Sequence, residues 1–242
     1  MGSRIIAVLR DRLPPEQLLR LQQRARRLLR PAWLGTLRRT APLSDQWGFD
    51  RGTPVDRYYI ESFLDEHRVD VHGRVLEVCD SAYMDRFGLG VEHRDILDID
   101  ASNPRATIVA DLAAADVVAS NQFDCFILTQ TLQLIYDTRA AIGHAHRMLR
   151  PGGVLLVTVP AVSRLVPRRQ RRADYWRFTP ASCSMLFGEL FGPENIAVRS
   201  YGNVLTAIAF LTGMAYQELS QGELAAHDDY FPLVVAVHAV KR

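Results

Sequence analysis

The 242 residues, 48% of them hydrophobic, suffice for one α/β domain plus an extension and would crowd two full domains. The formal net charge of +2 hides a division, because residues 1–40 carry ten arginines against Asp11 and Glu16, leaving 19 basic and 25 acidic residues in the body. The sequence contains no apolar run of 18 residues and no signal-peptide pattern, so neither a membrane span nor a secreted protein is expected, and a cytoplasmic location is. Cys79, Cys125 and Cys183 are too dispersed for a disulfide framework or a zinc site, and no metal is expected.

In chain order, Pro14, Pro15 and Glu16 can open a helix on which Leu18, Leu21, Ala25 and Leu28 keep a three-and-four spacing until Pro31 stops it. Its leucine stripe needs a surface, such as the flank of its own domain, a partner protein, a second subunit or lipid headgroups. We expect a basic helical arm over residues 1–45 and an α/β domain over 46–242. Residues 31–56, with Pro, Gly, Trp and Arg, read as an ordered connector, followed by a helix from Val55 to His67.

From Arg74 onward, short β-branched runs alternate with helical stretches, the pattern of a parallel sheet with crossover helices. The strands expected are Arg74–Cys79, Asp95–Ile99, Ala106–Ala110, Phe123–Leu128, Gly153–Val159, Asn195–Ser200 and Leu233–Val240. Together they make a doubly wound, seven-stranded, mostly parallel α/β sheet behind the helical extension. A helix with Ile142, Ala145 and Leu149 on one face precedes the stop Pro151-Gly152-Gly153, and two later helices are expected over Thr179–Leu190 and Val204–Leu219.

Doubly wound sheets bind ligands at the carboxyl ends of their strands, near the point where strand order reverses. The first strand, Val75-Leu76-Glu77-Val78, ends in Cys79 and Asp80; Asp98 and Asp100 close the second roughly twenty residues later, and Asp111 follows the third. That is the separation at which a carboxylate meets the hydroxyl pair of a ribose, so acids at successive strand ends point to a nucleoside ligand.

On these residues, over roughly 45–242, the chain resembles class I S-adenosylmethionine-dependent methyltransferases of the type 11 group. More narrowly, it is similar to bacterial methyltransferase-like proteins associated with glycosyltransferases. The resemblance is carried by Trp47 to Glu61, the strand Val75-Leu76-Glu77-Val78, Ala106 to Leu112, Phe123 to Gln133, Leu149-Arg150-Pro151-Gly152-Gly153, and Asp174-Tyr175-Trp176-Arg177-Phe178-Thr179. It implies S-adenosylmethionine as cofactor. Glu77, Val78, Cys79 and Asp80 would face the cofactor's amino-acid part, Asp98 its ribose, and Asp111 and Leu112 its adenine. If the second strand ends later, Asp100 takes the place of Asp98 at the ribose. Thr129, Gln130 and Thr131 would border the sulfonium, and Arg51 and Tyr59 would lie over the cofactor as a lid. In one respect the sequence departs from the family pattern: Cys79, Ser81 and Tyr83 occupy the alternating positions where glycines usually admit the nucleoside. The departure keeps open a second reading, a methyltransferase-fold protein of a biosynthetic pathway that does not methylate.

Methyl transfer needs an aligned nucleophile and, for a hydroxyl acceptor, a proton acceptor. Gln133, Asp174 and Tyr175 are the residues expected at the acceptor, whereas His144 and His146 belong to a crossover helix and read as surface or packing residues. Arg164, Arg168, Arg169, Arg171 and Arg172 form a loop that can dock a phosphorylated or carrier-linked small molecule, or stand in solvent. No aromatic platform interleaves with the basic residues, so nucleic acid is not an expected partner. The acceptor expected is a hydroxyl or amine of a sugar or secondary-metabolite intermediate.

Overall fold

The computed structural model describes residues 14–18, 21, 23, 35, 38–166 and 173–242. The chain divides into a unit over 1–41 and a larger unit over 42–242. Most of the expected arm helix, and Arg168, Arg169, Arg171 and Arg172, lie outside the described residues.

All seven expected strands form, as β1 (Gly73–Val78), β2 (Val91–Asp98), β3 (Ile108–Val109), β4 (Phe123–Thr129), β5 (Leu149–Pro160), β6 (Ile196–Tyr201) and β7 (Val234–Val240). They make one sheet in the order β3-β2-β1-β4-β5-β7-β6, parallel except for β7, which runs antiparallel to both β5 and β6. Strand order reverses between β1 and β4, where Val75 pairs with Cys125 and Glu77 with Ile127. A crevice is therefore expected above their carboxyl ends.

Side chains alternate across the sheet, so the central strands feed two cores. Phe126 and Leu128 of β4 join Leu76, Leu155 and Val237 in one cluster, beneath α3 (Thr138–Met148) and α4 (Pro180–Phe191). Cys125 and Ile127 join Val75, Leu156 and Ala236 in the other, beneath α1 (Val55–Glu66) and α5 (Val204–Thr212). Both faces are covered, which is why the central strands read as continuous apolar runs rather than alternating ones. A short helix, α2 (Ala82–Phe87), follows β1, and α6 (Gln221–Ala225) precedes β7.

Several boundaries differ from expectation for local reasons. The helix expected from Val204 to Leu219 stops at Thr212, because Gly213 takes a left-handed φ of 77° and its position packs against the Ser44 backbone. Leu149, expected on a helix face, begins β5. β2 starts at Val91 rather than Asp95; Glu92, His93 and Arg94 are exposed there, and β3 pairs only with the far end of the strand, so polar residues are tolerated. Residues 42–54 are laid across α5, with Leu43 N–H donating to Thr212 O at 2.7 Å and Gly48 so close to the Met214 carbonyl that a side chain there would clash. Among the described residues no helix is long and apolar enough to cross a membrane.

Candidate active site

A cleft of about 580 Å3 opens at the reversal point, over the ends of β1, β2 and β4. Val78 and Cys79 come from the first strand, Asp98 from the second, and Asp111 and Leu112 from the turn after the third. Thr131, Ile135 and Tyr136 come from the turn after β4, and Tyr175 closes the far side. Apolar walls with three carboxylates, Asp98, Asp111 and Asp137, suit a nucleoside, whose base is planar and whose ribose presents hydroxyls.

The turn after β1 resolves the missing glycine. Cys79 adopts φ of 71°, the left-handed conformation for which glycine is normally selected, so the turn has the backbone shape a glycine would give it. Its N–H donates to Leu97 O at 3.0 Å, and its carbonyl accepts from Asn103 Nδ2 at 2.8 Å. The same Asn103 amide donates to Asp98 Oδ2 at 2.8 Å, while Asp98 Oδ1 accepts from Asp100 N–H at 3.0 Å. Asp111 Oδ1 accepts from Ala113 N–H at 2.9 Å, fixing the turn that carries Leu112.

Glu77 and Asp80 support this turn instead of lining the cleft. The Glu77 carboxyl, 2% exposed, accepts from Tyr83 N–H at 3.1 Å and Met84 N–H at 2.8 Å, which docks the start of α2 on β1. Burial pushes its pKa up to about 7, against the pull of those two donors toward the charged form. Asp80 Oδ1 accepts from Ala82 N–H at 3.0 Å. Arg51 and Tyr59, expected as a lid, do not line this cleft: Arg51 forms a two-point ion pair with Glu218, and the buried Tyr59 hydroxyl donates to Leu224 O at 2.9 Å.

A second, smaller chamber of about 210 Å3 lies beside the cleft, and Leu134 lines both. Gln130, Gln133 and Asp174 are gathered here, apart from Tyr175 in the cleft. Gln130, first after β4, takes φ of 46° and donates its N–H to Thr158 O at 2.8 Å. Its carbonyl accepts from Gln133 Nε2 at 2.8 Å. Asp174 is held by Arg177 at 2.5 Å and by Val166 N–H at 3.0 Å; burial pushes its carboxyl up, but these donors outweigh it and keep the pKa below the ordinary value. Thr131 Oγ1 donates to the Thr129 carbonyl at 2.9 Å, and Thr129 itself reaches neither cavity.

Three contributors escaped sequence reasoning. Asp56 and Arg57 line the chamber from the first turn of α1, where an acidic residue reads as an ordinary partner of the helix dipole. Tyr136 sits edge-on to Tyr175 with centroids 5.3 Å apart and is 70% exposed at the cleft, a position only the folded turn after β4 reveals. His146 packs edge-on against Phe191, as a packing residue should.

The strand order, the crevice at its reversal and the acids around it define a nucleoside-binding class I α/β fold. Residues 39–189 match the family described as "Methyltransferase domain". The chain belongs to that family and is a class I S-adenosylmethionine-dependent methyltransferase. Its fold is similar to that of a SAM-dependent methyltransferase from Archaeoglobus fulgidus, with TM-score 0.51, 11% identity, and coverage of 76% of this chain and 94% of that one. A SAM-dependent methyltransferase from Mesorhizobium loti gives TM-score 0.50 at 16% identity, covering 80% of this chain and all of the other. No curated protein matches the sequence.

Proposed function

We propose that this enzyme methylates a hydroxyl or amine of a small molecule, a sugar or other secondary-metabolite intermediate, in the cytoplasm. The observation that carries the cofactor assignment is the cleft at the strand reversal, with Asp98 and Asp111 on its wall and a glycine-like turn at Cys79. When bound, S-adenosylmethionine supplies a methyl carbon made electrophilic by its sulfonium. Asp98 is assigned to the ribose, Asp111 and Leu112 to the adenine, and Val78 and Cys79 to the amino-acid part. Thr131 and Tyr175 line the same cleft and exclude water around the reacting atoms.

On the acceptor side, Gln133 positions the nucleophile, and Asp174 is a positioning residue because Arg177 and Val166 already engage its oxygens. Glu77, Asp80, Arg51 and Tyr59 are assigned to holding the walls. Calorimetry with S-adenosylhomocysteine tests the reading directly: binding to the wild type with loss in Asp98→Ala is expected, and no binding to the wild type overturns it. The cofactor residues all lie beyond Arg74, so a chain lacking residues 1–40 is expected to fold and bind S-adenosylhomocysteine unchanged. Unchanged binding with lost turnover would assign the basic arm to the acceptor or to a partner protein.

A further inference from the structure

At the end of the sheet opposite the cleft, three side chains from distant parts of the chain converge. His67 caps the carboxyl end of α1, Asp70 closes the short turn Arg68–Asp70 that follows it, and His238 belongs to β7. β1 begins at Gly73, just after Asp70, and the cleft lies at its other end, so the six residues of the strand, about 20 Å, separate the two places. His67 Nδ1 lies 3.5 Å from Asp70 Oδ2, and His238 Nε2 lies 3.1 Å from the same oxygen. One nitrogen from each ring and that oxygen all fall within 4.8 Å of one another. Ligand atoms around a tetrahedral zinc ion, each about 2.0–2.2 Å from it, stand about 3.3–3.6 Å apart, so both nitrogen–oxygen separations are already close to the spacing an ion would impose.

The three groups are also held in place by the fold. The His67 ring packs edge-on to Phe63, with centroids 4.8 Å apart, and stacks on the His238 ring at 4.5 Å. His238 is fixed in turn by strand pairing, opposite Leu156 of β5 and Ala197 of β6. Side chains ordered in advance lose little rotamer freedom on binding. The charged residues next to His67 and Asp70 in the chain have partners of their own, Asp65 with Arg68 and Glu66 with Arg199. Each of the three side chains keeps 20–28% of its surface exposed, enough for an ion to enter and for water to complete its coordination. Two imidazoles with one carboxylate suit zinc and its neighbours among the transition metals, whereas magnesium and calcium favour oxygen ligands. One carboxylate oxygen facing two imidazole nitrogens is a hydrogen-bonded arrangement when those nitrogens carry protons. It is a metal-binding one when they are bare and a cation takes the protons' place.

We propose that His67, Asp70 and His238 form a site for a divalent transition metal of the zinc class, which ties the turn before β1 to the last strand of the sheet. Cysteine spacing gives no sign of such a site, because its ligands are two histidines and an aspartate, with His238 168 residues beyond Asp70. The full chain, stripped with a chelator and then freed of it, would be titrated calorimetrically with zinc chloride and, separately, with magnesium chloride. Binding of one equivalent of zinc is expected, with no binding of magnesium. His238→Ala and Asp70→Asn should each weaken zinc at least tenfold, while His227→Ala, which alters a histidine paired with Asp229 at the surface, leaves the affinity unchanged. Zinc at a hundredfold excess over its Kd should raise the Tm of the wild type by roughly 5–10 °C, and should not raise that of His238→Ala. No zinc binding to the wild type, equal binding of magnesium, or a zinc affinity indifferent to both His238→Ala and Asp70→Asn overturns the proposal. If the change within β7 prevents folding, His67→Gln at the end of α1 makes the same comparison.

Discussion

In the cleft, Asp98 and Asp111 already accept from Asn103 and from nearby backbone N–H groups, and the remaining walls are largely apolar. In the chamber next to it, Asp56, Gln130 and Gln133 each keep a buried atom with no hydrogen-bond partner among the described residues, although the two spaces share Leu134. The cleft is organised to shape a turn around a ligand common to a whole family. Among its charged residues the cleft is lined by acids alone, Asp98, Asp111 and Asp137, whereas the chamber sets Arg57, Arg164 and Arg177 against Asp56 and Asp174, so the two neighbouring spaces differ in the sign of their charge.

The contrast extends to buried carboxyls. Glu77 behind the cleft has a folded-state pKa of about 7, so between pH 4.5 and about 7 the folded chain retains a proton that the unfolded chain has released. Stability therefore falls as pH rises through that window, by about 3 kcal/mol at most. Glu77→Gln should flatten this slope in denaturant titrations at successive pH values, and an unchanged slope would show that Glu77 ionises freely. Next in size, Asp98→Ala should weaken S-adenosylhomocysteine ten- to a hundredfold by calorimetry, for a lost charge-assisted bond of about 1.5–3 kcal/mol. An unchanged affinity would mean that the ribose is held elsewhere.

The smallest effect expected is at Cys79. A non-glycine residue in the left-handed region is strained by roughly 1–2 kcal/mol, partly offset by the greater freedom of glycine when unfolded. Cys79→Gly should raise Tm by about 2–4 °C in a chain of this length while cofactor binding persists. Calorimetric melting checks it, and a lower Tm would show that the Cys79 side chain contributes packing that outweighs the strain.

The sheet was legible in the sequence because its central strands are buried on both faces and announce themselves as β-branched runs. The break at Gly213 was not, since Val204 to Leu219 keeps an apolar composition on both sides of the glycine. α2 escaped because six residues are too few to show a helical period. Among the site residues, Asp98, Asp111 and Leu112 were readable as strand-end positions and do meet in one cleft. The glycine positions misled in a particular way: Cys79 breaks the residue pattern yet preserves the backbone conformation, and conformation is invisible in a string of letters. Asp56 was unreadable as a site residue because its place in the chamber depends on residues 42–54 crossing α5, a long-range contact with no local signature.

That crossing has a consequence for how the enzyme comes into being. The cleft is drawn mainly from β1 through the turn after β4, a consecutive stretch, whereas the chamber takes Trp47 and Asp56 from before the sheet and Phe210 from near its end. The close approach of Gly48 to Met214 is made only when α5 has emerged. Contacts between distant parts of a chain are the slow ones to form, so during synthesis the nucleoside crevice takes shape first and the chamber beside it is completed last.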